Sequence, residues 1–116
     1  MDIRTLATEM DSIVAQGAIV EAVEKYFADN ANTSDYNNVT TTGKAQMVEK
    51  MRAFADAIAK VNGIEHHGTY VDGNITLSLF TFDFLMKDDS KVLWHEIIKR
   101  NWNNEGLVTF EEYFNA

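Results

Sequence analysis

The chain has 116 residues, 46% of them hydrophobic and 11% aromatic, which fits one globular domain over residues 1–116 with a substantial core. Ten Lys and Arg against 18 Asp and Glu leave a net charge of −8, which argues against nucleic acid as a partner, since phosphate backbones need surplus cations on one face. Cysteine is absent, no apolar run approaches the roughly 20 residues of a membrane helix, and the charged opening MDIRTLATEMDSIV is no signal peptide, so a cytoplasmic location is expected.

Ile3, Leu6, Ala7, Met10, Ile13 and Val14 recur at helical spacing until Gly17 breaks the pattern, which predicts a first amphipathic helix. A second is expected from about Ala18 to Asp29, with Ile19, Val23, Tyr26 and Phe27 on one stripe. The stretch that follows is rich in asparagine and carries Asp35. Thr42 can then cap a third helix, with Met47, Met51, Phe54 and Ile58 on its buried face and Asn62-Gly63 as its stop.

From Gly63 the period changes from helical to alternating. GIEHHGTYVD, NITLSLFTFDFLMK, KVLWHEIIKRNW and LVTFEEYF read as strands, separated by Asp72-Gly73, Lys87-Asp88-Asp89-Ser90 and Asn103-Asn104-Glu105-Gly106. Helices followed by consecutive antiparallel strands predict an α+β fold. Alternation places Trp94, Glu96, Ile98, Arg100 and Trp102 on one face, as it does Phe80, Phe82, Phe84 and Met86 on the strand before. The opposite faces also carry apolar residues, so the outer side of the sheet is expected to be covered, most economically by a second copy in a homodimer.

Three helices followed by long strands, with the phrases YFADNA, MKDDSKVLWHEIIKRNWNNEG and LVTFEEYF, resemble the nuclear transport factor 2-like superfamily and within it the SnoaL-like domains. The resemblance covers nearly the whole chain and rests on order, length and the pattern W-x-E…W-x-x-x-G-x-(V/I). It implies a cone-shaped curved antiparallel sheet wrapped around an N-terminal set of three helices, the cystatin-like arrangement, with an interior pocket and dimerisation through the sheet's outer face. Relatives include polyketide cyclases and ketosteroid isomerase, and in the isomerase a segment similar to YFADNANTSD ends in a proton-moving aspartate. Asp35 takes that position here, while the isomerase's two oxyanion donors correspond to Met10 and Ile98. The missing donors point to another reaction, or to binding without turnover.

Asp35 has two readings, a turn-former bonding its own backbone or the catalytic base. Glu96 lies between two tryptophans on the expected inner wall, where a carboxylate needs a partner or a ligand. Arg100 is about 13 Å along the same strand face, and Glu111, beside Thr109 and Tyr113, is another partner for it. A structural Arg–Glu pair is the alternative reading of these charges. Tyr26 either turns its hydroxyl toward Asp35 or buries its ring as core. His66 and His67 point to opposite faces, so only one can enter the pocket. His67 is the candidate, although alternation by itself leaves the choice open.

The expected catalytic set is therefore Asp35, Glu96 and Tyr26. The expected ligand-binding set is Trp94, Arg100, Trp102, Glu111, Tyr113, Phe82 and His67. No metal set is expected, since His95 falls on the opposite parity from Glu96, and no cofactor is implied without a glycine-rich phosphate loop. The function these residues suggest is binding of a small apolar or aromatic metabolite, with acid–base isomerase, cyclase or lyase activity. The other reading is a non-catalytic ligand-binding or accessory dimerisation module of the same fold.

Overall fold

A computed structural model describes residues 2–35 and 39–115. Helix α1 spans Ile3–Ala15 and starts where the Asp2 carboxylate accepts the Arg4 N–H. It ends in a Schellman turn: Gly17 N–H donates to Val14 O and Ala18 N–H to Ile13 O, at 2.9 and 3.2 Å. Gly17 sits at φ 87°, a left-handed conformation that glycine adopts without a Cβ penalty. The chain can therefore reverse directly into α2, Ile19–Tyr26.

The second helix stops three residues before the expected Asp29, because the chain from Phe27 pairs as a strand instead. Strand β1, Phe27–Ser34, lies beside the C-terminal strand β6, Val108–Asn115, and hairpins onto β2, Thr40–Thr42. Helix α3 follows as Lys44–Asp56. Its N-cap is Gly43, at φ 88°, and not Thr42; the Gln46 Oε1 reaches back to accept the Thr42 N–H at 3.3 Å. The helix also ends earlier than Asn62-Gly63. Ile58 begins strand β3, Ile58–Asp72, opposite Met86, and Lys87 N–H donates to Ala57 O at 2.8 Å. Cross-strand pairing thus takes residues whose apolar spacing alone favoured more helix.

Strands β3, β4 (Ile75–Met86), β5 (Lys91–Trp102) and β6 form the expected antiparallel meander. The six strands among the described residues are ordered β2-β1-β6-β5-β4-β3. The β1–β6 pairing is parallel, so the curved sheet is mixed and it does not close. Register shifts at Ile58/Lys60, Val61/Gly63 and His66/Gly68 are bulges in β3, the kind of irregularity that bends a strand.

Alternation holds along β4 and β5. Phe80, Phe82, Phe84, Ile98 and Trp102 join the core with Met10, Tyr26, Phe27 and Met47 from the other elements. Leu77 and Leu93 on the opposite faces stay exposed, together with Tyr70 and Phe114. The helices fill the concave side, and the space they leave is the site described next.

Candidate active site

The concave face encloses a cavity of about 420 Å³. Helix α1 contributes Met10 and Val14 to its wall, α3 contributes Met47, Lys50, Met51 and Phe54, and the sheet contributes Phe82, Phe84, Trp94 and Ile98. The lining is thus mostly apolar, with Asp35, Lys50, Glu96, Arg100, Glu111 and Tyr113 supplying its polar part. Phe82 and Trp94 are direct cross-strand neighbours. Phe54 from α3 stacks on Trp94 with ring centroids 5.5 Å apart and planes 17° from parallel.

Glu96 is placed by β5 between Trp94 and Ile98 and is 9% exposed. Among the described residues no hydrogen bond reaches its carboxyl oxygens. Burial pushes its pKa from 4.5 up to about 8, and the negative charges of Glu111 and Asp35 push in the same direction, against the pull of Arg100. The carboxyl therefore holds its proton at neutral pH.

Arg100 does not extend to Glu96. Its Nε donates to Glu111 Oε2 at 2.8 Å, and one terminal nitrogen donates to Asp11 Oδ1 at 2.6 Å and to Ser78 Oγ at 3.1 Å. Burial alone works against the guanidinium charge, but the two carboxylates outweigh it and keep Arg100 protonated. Asp11, fully buried on α1, also accepts from Ser78 and Thr69 at 2.5 and 2.7 Å. Tyr113 donates to Glu111 Oε1, and burial with that bond raises the phenol well above its ordinary pKa.

Asp35 faces the cavity just beyond β1, with Lys50 Nζ 2.7 Å from its Oδ2. Its backbone N–H donates to Val39 O at 2.9 Å. Lys50 also lies 3.4 Å from Thr41 Oγ1, so the ammonium ties α3 to both short strands.

Three expected site residues lie elsewhere. The Tyr26 hydroxyl donates to Glu9 at 3.0 Å and does not line the cavity; burial, then the Glu9 bond, pushes its pKa up to about 12. Trp102 packs edge-on against Tyr26 at 6.2 Å and gives its indole N–H to Thr76 at 3.0 Å, outside the cavity lining. His67 occupies the bulge of β3 and meets Thr81 Oγ1 on the outer face at 2.7 Å. His66 is the inward histidine, stacked on Phe80 at 4.9 Å with its Nε2 3.4 Å from Asp11. The shifted register at His66/Gly68 decides between the two, which alternation could not.

Asp11 and Lys50 were not among the expected site residues. Asp11 had a signal: it is a lone acid beside Met10 on the stripe that runs from Ala7 to Val14. Lys50 had a weaker one, lying one turn from both Met47 and Phe54. No group of three or more metal-ligating side chains occurs among the described residues.

No family model and no curated protein matches the chain. Solved structures do. A protein assigned as a SnoaL-like polyketide cyclase from Mesorhizobium loti is 25% identical with a TM-score of 0.88, covering 98% of this chain and 99% of its own. The chain has the nuclear transport factor 2-like fold. Another protein of this fold, of unknown function, from Burkholderia pseudomallei superposes with a TM-score of 0.81 at 12% identity, covering 100% of this chain and 92% of its own. A hypothetical protein with a ketosteroid isomerase-like fold from Catenulispora acidiphila, in complex with trimethylamine, gives 0.76 at 15% identity over 93% and 85%. Met10 and Ile98 are part of the apolar wall of the cavity.

Proposed function

We propose that this chain binds a small apolar or aromatic molecule in its cavity and moves a proton on it, as an isomerase, cyclase or lyase. The observation that carries this reading is Glu96: a nearly buried carboxyl, without a protein hydrogen bond among the described residues, facing open volume. A protonated acid in such a place can donate to a carbonyl or leaving oxygen, and Asp35, on the same lining, can accept the proton released. Tyr113, which lines the cavity and donates to Glu111, takes the supporting role in place of Tyr26. The polyketide cyclase likeness supports a reaction of this class.

The ion pair between Asp35 and Lys50 favours a second reading, binding without turnover, because the carboxylate that would act as base is already engaged. Native mass spectrometry of the purified protein would identify a retained ligand and supply the compound for an assay. With it, Asp35→Asn and Glu96→Gln should each lower turnover by about 10²–10⁴-fold. Unchanged turnover in both variants would overturn the acid–base mechanism.

The same reading includes a homodimer formed through the sheet's outer face, where Tyr70, Leu77, Leu93 and Phe114 expose large apolar side chains. No helix among the described residues is long and apolar enough to cross a membrane, and the net charge of −8 disfavours nucleic acid as a partner.

A further inference from the structure

The polar part of the cavity and the network behind it hold four carboxyl groups: Asp35 after β1, Glu96 on β5, Glu111 on β6 and Asp11 on α1. Facing them are two strong cations, Lys50 on α3 and Arg100 on β5, with Tyr113 and, behind Asp11, His66 as the remaining titratable groups. Both cations are taken: Lys50 by Asp35 at 2.7 Å, and Arg100 by Asp11 and Glu111 at 2.6 and 2.8 Å. Glu96 is left without a counter-ion or a hydrogen bond among the described residues, more than nine-tenths buried and lining the cavity. A buried carboxyl of that kind either keeps a proton or takes a cation from outside.

The walls beside it suit a cation with an apolar surface. Trp94 is two residues along the same strand face, about 6.6 Å away, and Phe82 stands directly across from Trp94. Aromatic faces attract alkylated ammonium groups; Phe54 stacks on one face of Trp94 and Phe80 on one face of Phe82, so the opposite faces are the ones available to a cation. An anionic ligand would meet the surplus of carboxyls instead. We propose that the polar end of the cavity is a site for an organic cation, an alkylated or protonated amine, held between the Glu96 carboxylate and the rings of Trp94 and Phe82. The inference rests on the cavity being a ligand site and names the chemical class of the ligand; with such a cation bound Glu96 is a carboxylate, so it deepens the reading of binding without turnover and not the one in which Glu96 donates a proton.

Binding of such a cation must displace the Glu96 proton into solvent. A quaternary ammonium probe keeps its own charge at every pH, so the titration of the site alone sets the pH dependence. The dissociation constant of benzyltrimethylammonium should fall by up to about tenfold per pH unit as pH rises toward the Glu96 pKa of about 8, and level off above it. Its neutral isostere neopentylbenzene should bind at least about tenfold more weakly at pH 9, with no pH dependence. Glu96→Gln should remove both the preference and the pH dependence while circular dichroism shows the fold retained. The wild-type pH series provides a measurement that needs no variant. Equal binding of the two probes, or a cation affinity unaffected by Glu96→Gln, would overturn the cation site yet leave the cavity as a ligand site. Binding of neither probe would overturn both.

Discussion

The buried carboxyl of Glu96, which carries the proposed chemistry, also bears on the stability of the fold. Its pKa is raised in the folded protein, so the folded chain binds its proton more tightly than the unfolded chain does. The stabilisation this gives is fully present below the unfolded value of 4.5 and is lost as pH rises through the folded value of about 8. A shift of that size corresponds to roughly 5 kcal/mol between the two ends of the window. Glutamine has no proton to lose, so Glu96→Gln should gain stability relative to the parent as pH rises, by several kcal/mol at pH 9. Urea unfolding of both proteins at pH 5 and pH 9 measures it; a constant difference between them would show that Glu96 is not held neutral by the fold. Alternation along KVLWHEIIKRNW was enough to put this side chain on the inner wall beside Trp94. It could not show that Arg100 would turn elsewhere, because the competing carboxylate is on α1, more than eighty residues away in the chain.

At the level of elements, Asp11 joins α1 to the sheet. It accepts from Arg100 on β5, Ser78 on β4 and Thr69 on β3, all within the interior. Removing one member of a buried ion-pair network leaves its partner charged and uncompensated, which costs about 3–5 kcal/mol. Asp11→Ala should destabilise the protein by that amount in urea unfolding, and Asp11→Asn, which keeps an acceptor oxygen, should lose less. A loss below about 1 kcal/mol in the alanine variant would mean that Arg100 is satisfied by Glu111 alone. Turns were legible where local chemistry decides them: Gly17 at the end of α1 and Asp72-Gly73 between β3 and β4, whereas the cap expected at Thr42 falls to Gly43. Helix ends were not legible where a strand partner competes. Phe27 leaves α2 to pair with Val108, and Ile58 leaves α3's apolar stripe to pair with Met86.

Across the whole molecule, the sheet has one face filled by helices and one that still presents Tyr70, Leu77, Leu93 and Phe114. Leu93 is 61% exposed in the single chain, and its replacement should cost the monomer little while placing a charge within the proposed dimer contact. Leu93→Lys is expected to raise the dimer dissociation constant at least about tenfold, since an unpaired buried charge costs more than the about 1.4 kcal/mol that factor represents. Light scattering across a dilution series reads the change directly. A parent protein that is monomeric at micromolar concentration would rule out the contact.

By itself the sequence determined the three helices and the four long strands β3 to β6, the two faces of β4 and β5, and a carboxylate set among aromatic rings, because the 3.6-residue and two-residue periods record which side chains must leave water. Only the tertiary structure decided that β1 runs parallel to β6, that the β3 bulge turns His66 inward and His67 outward, and that Asp11 claims Arg100. Those outcomes depend on contacts between residues far apart in the chain, where local propensity has no preference to express and the pairing that satisfies the most buried polar groups prevails.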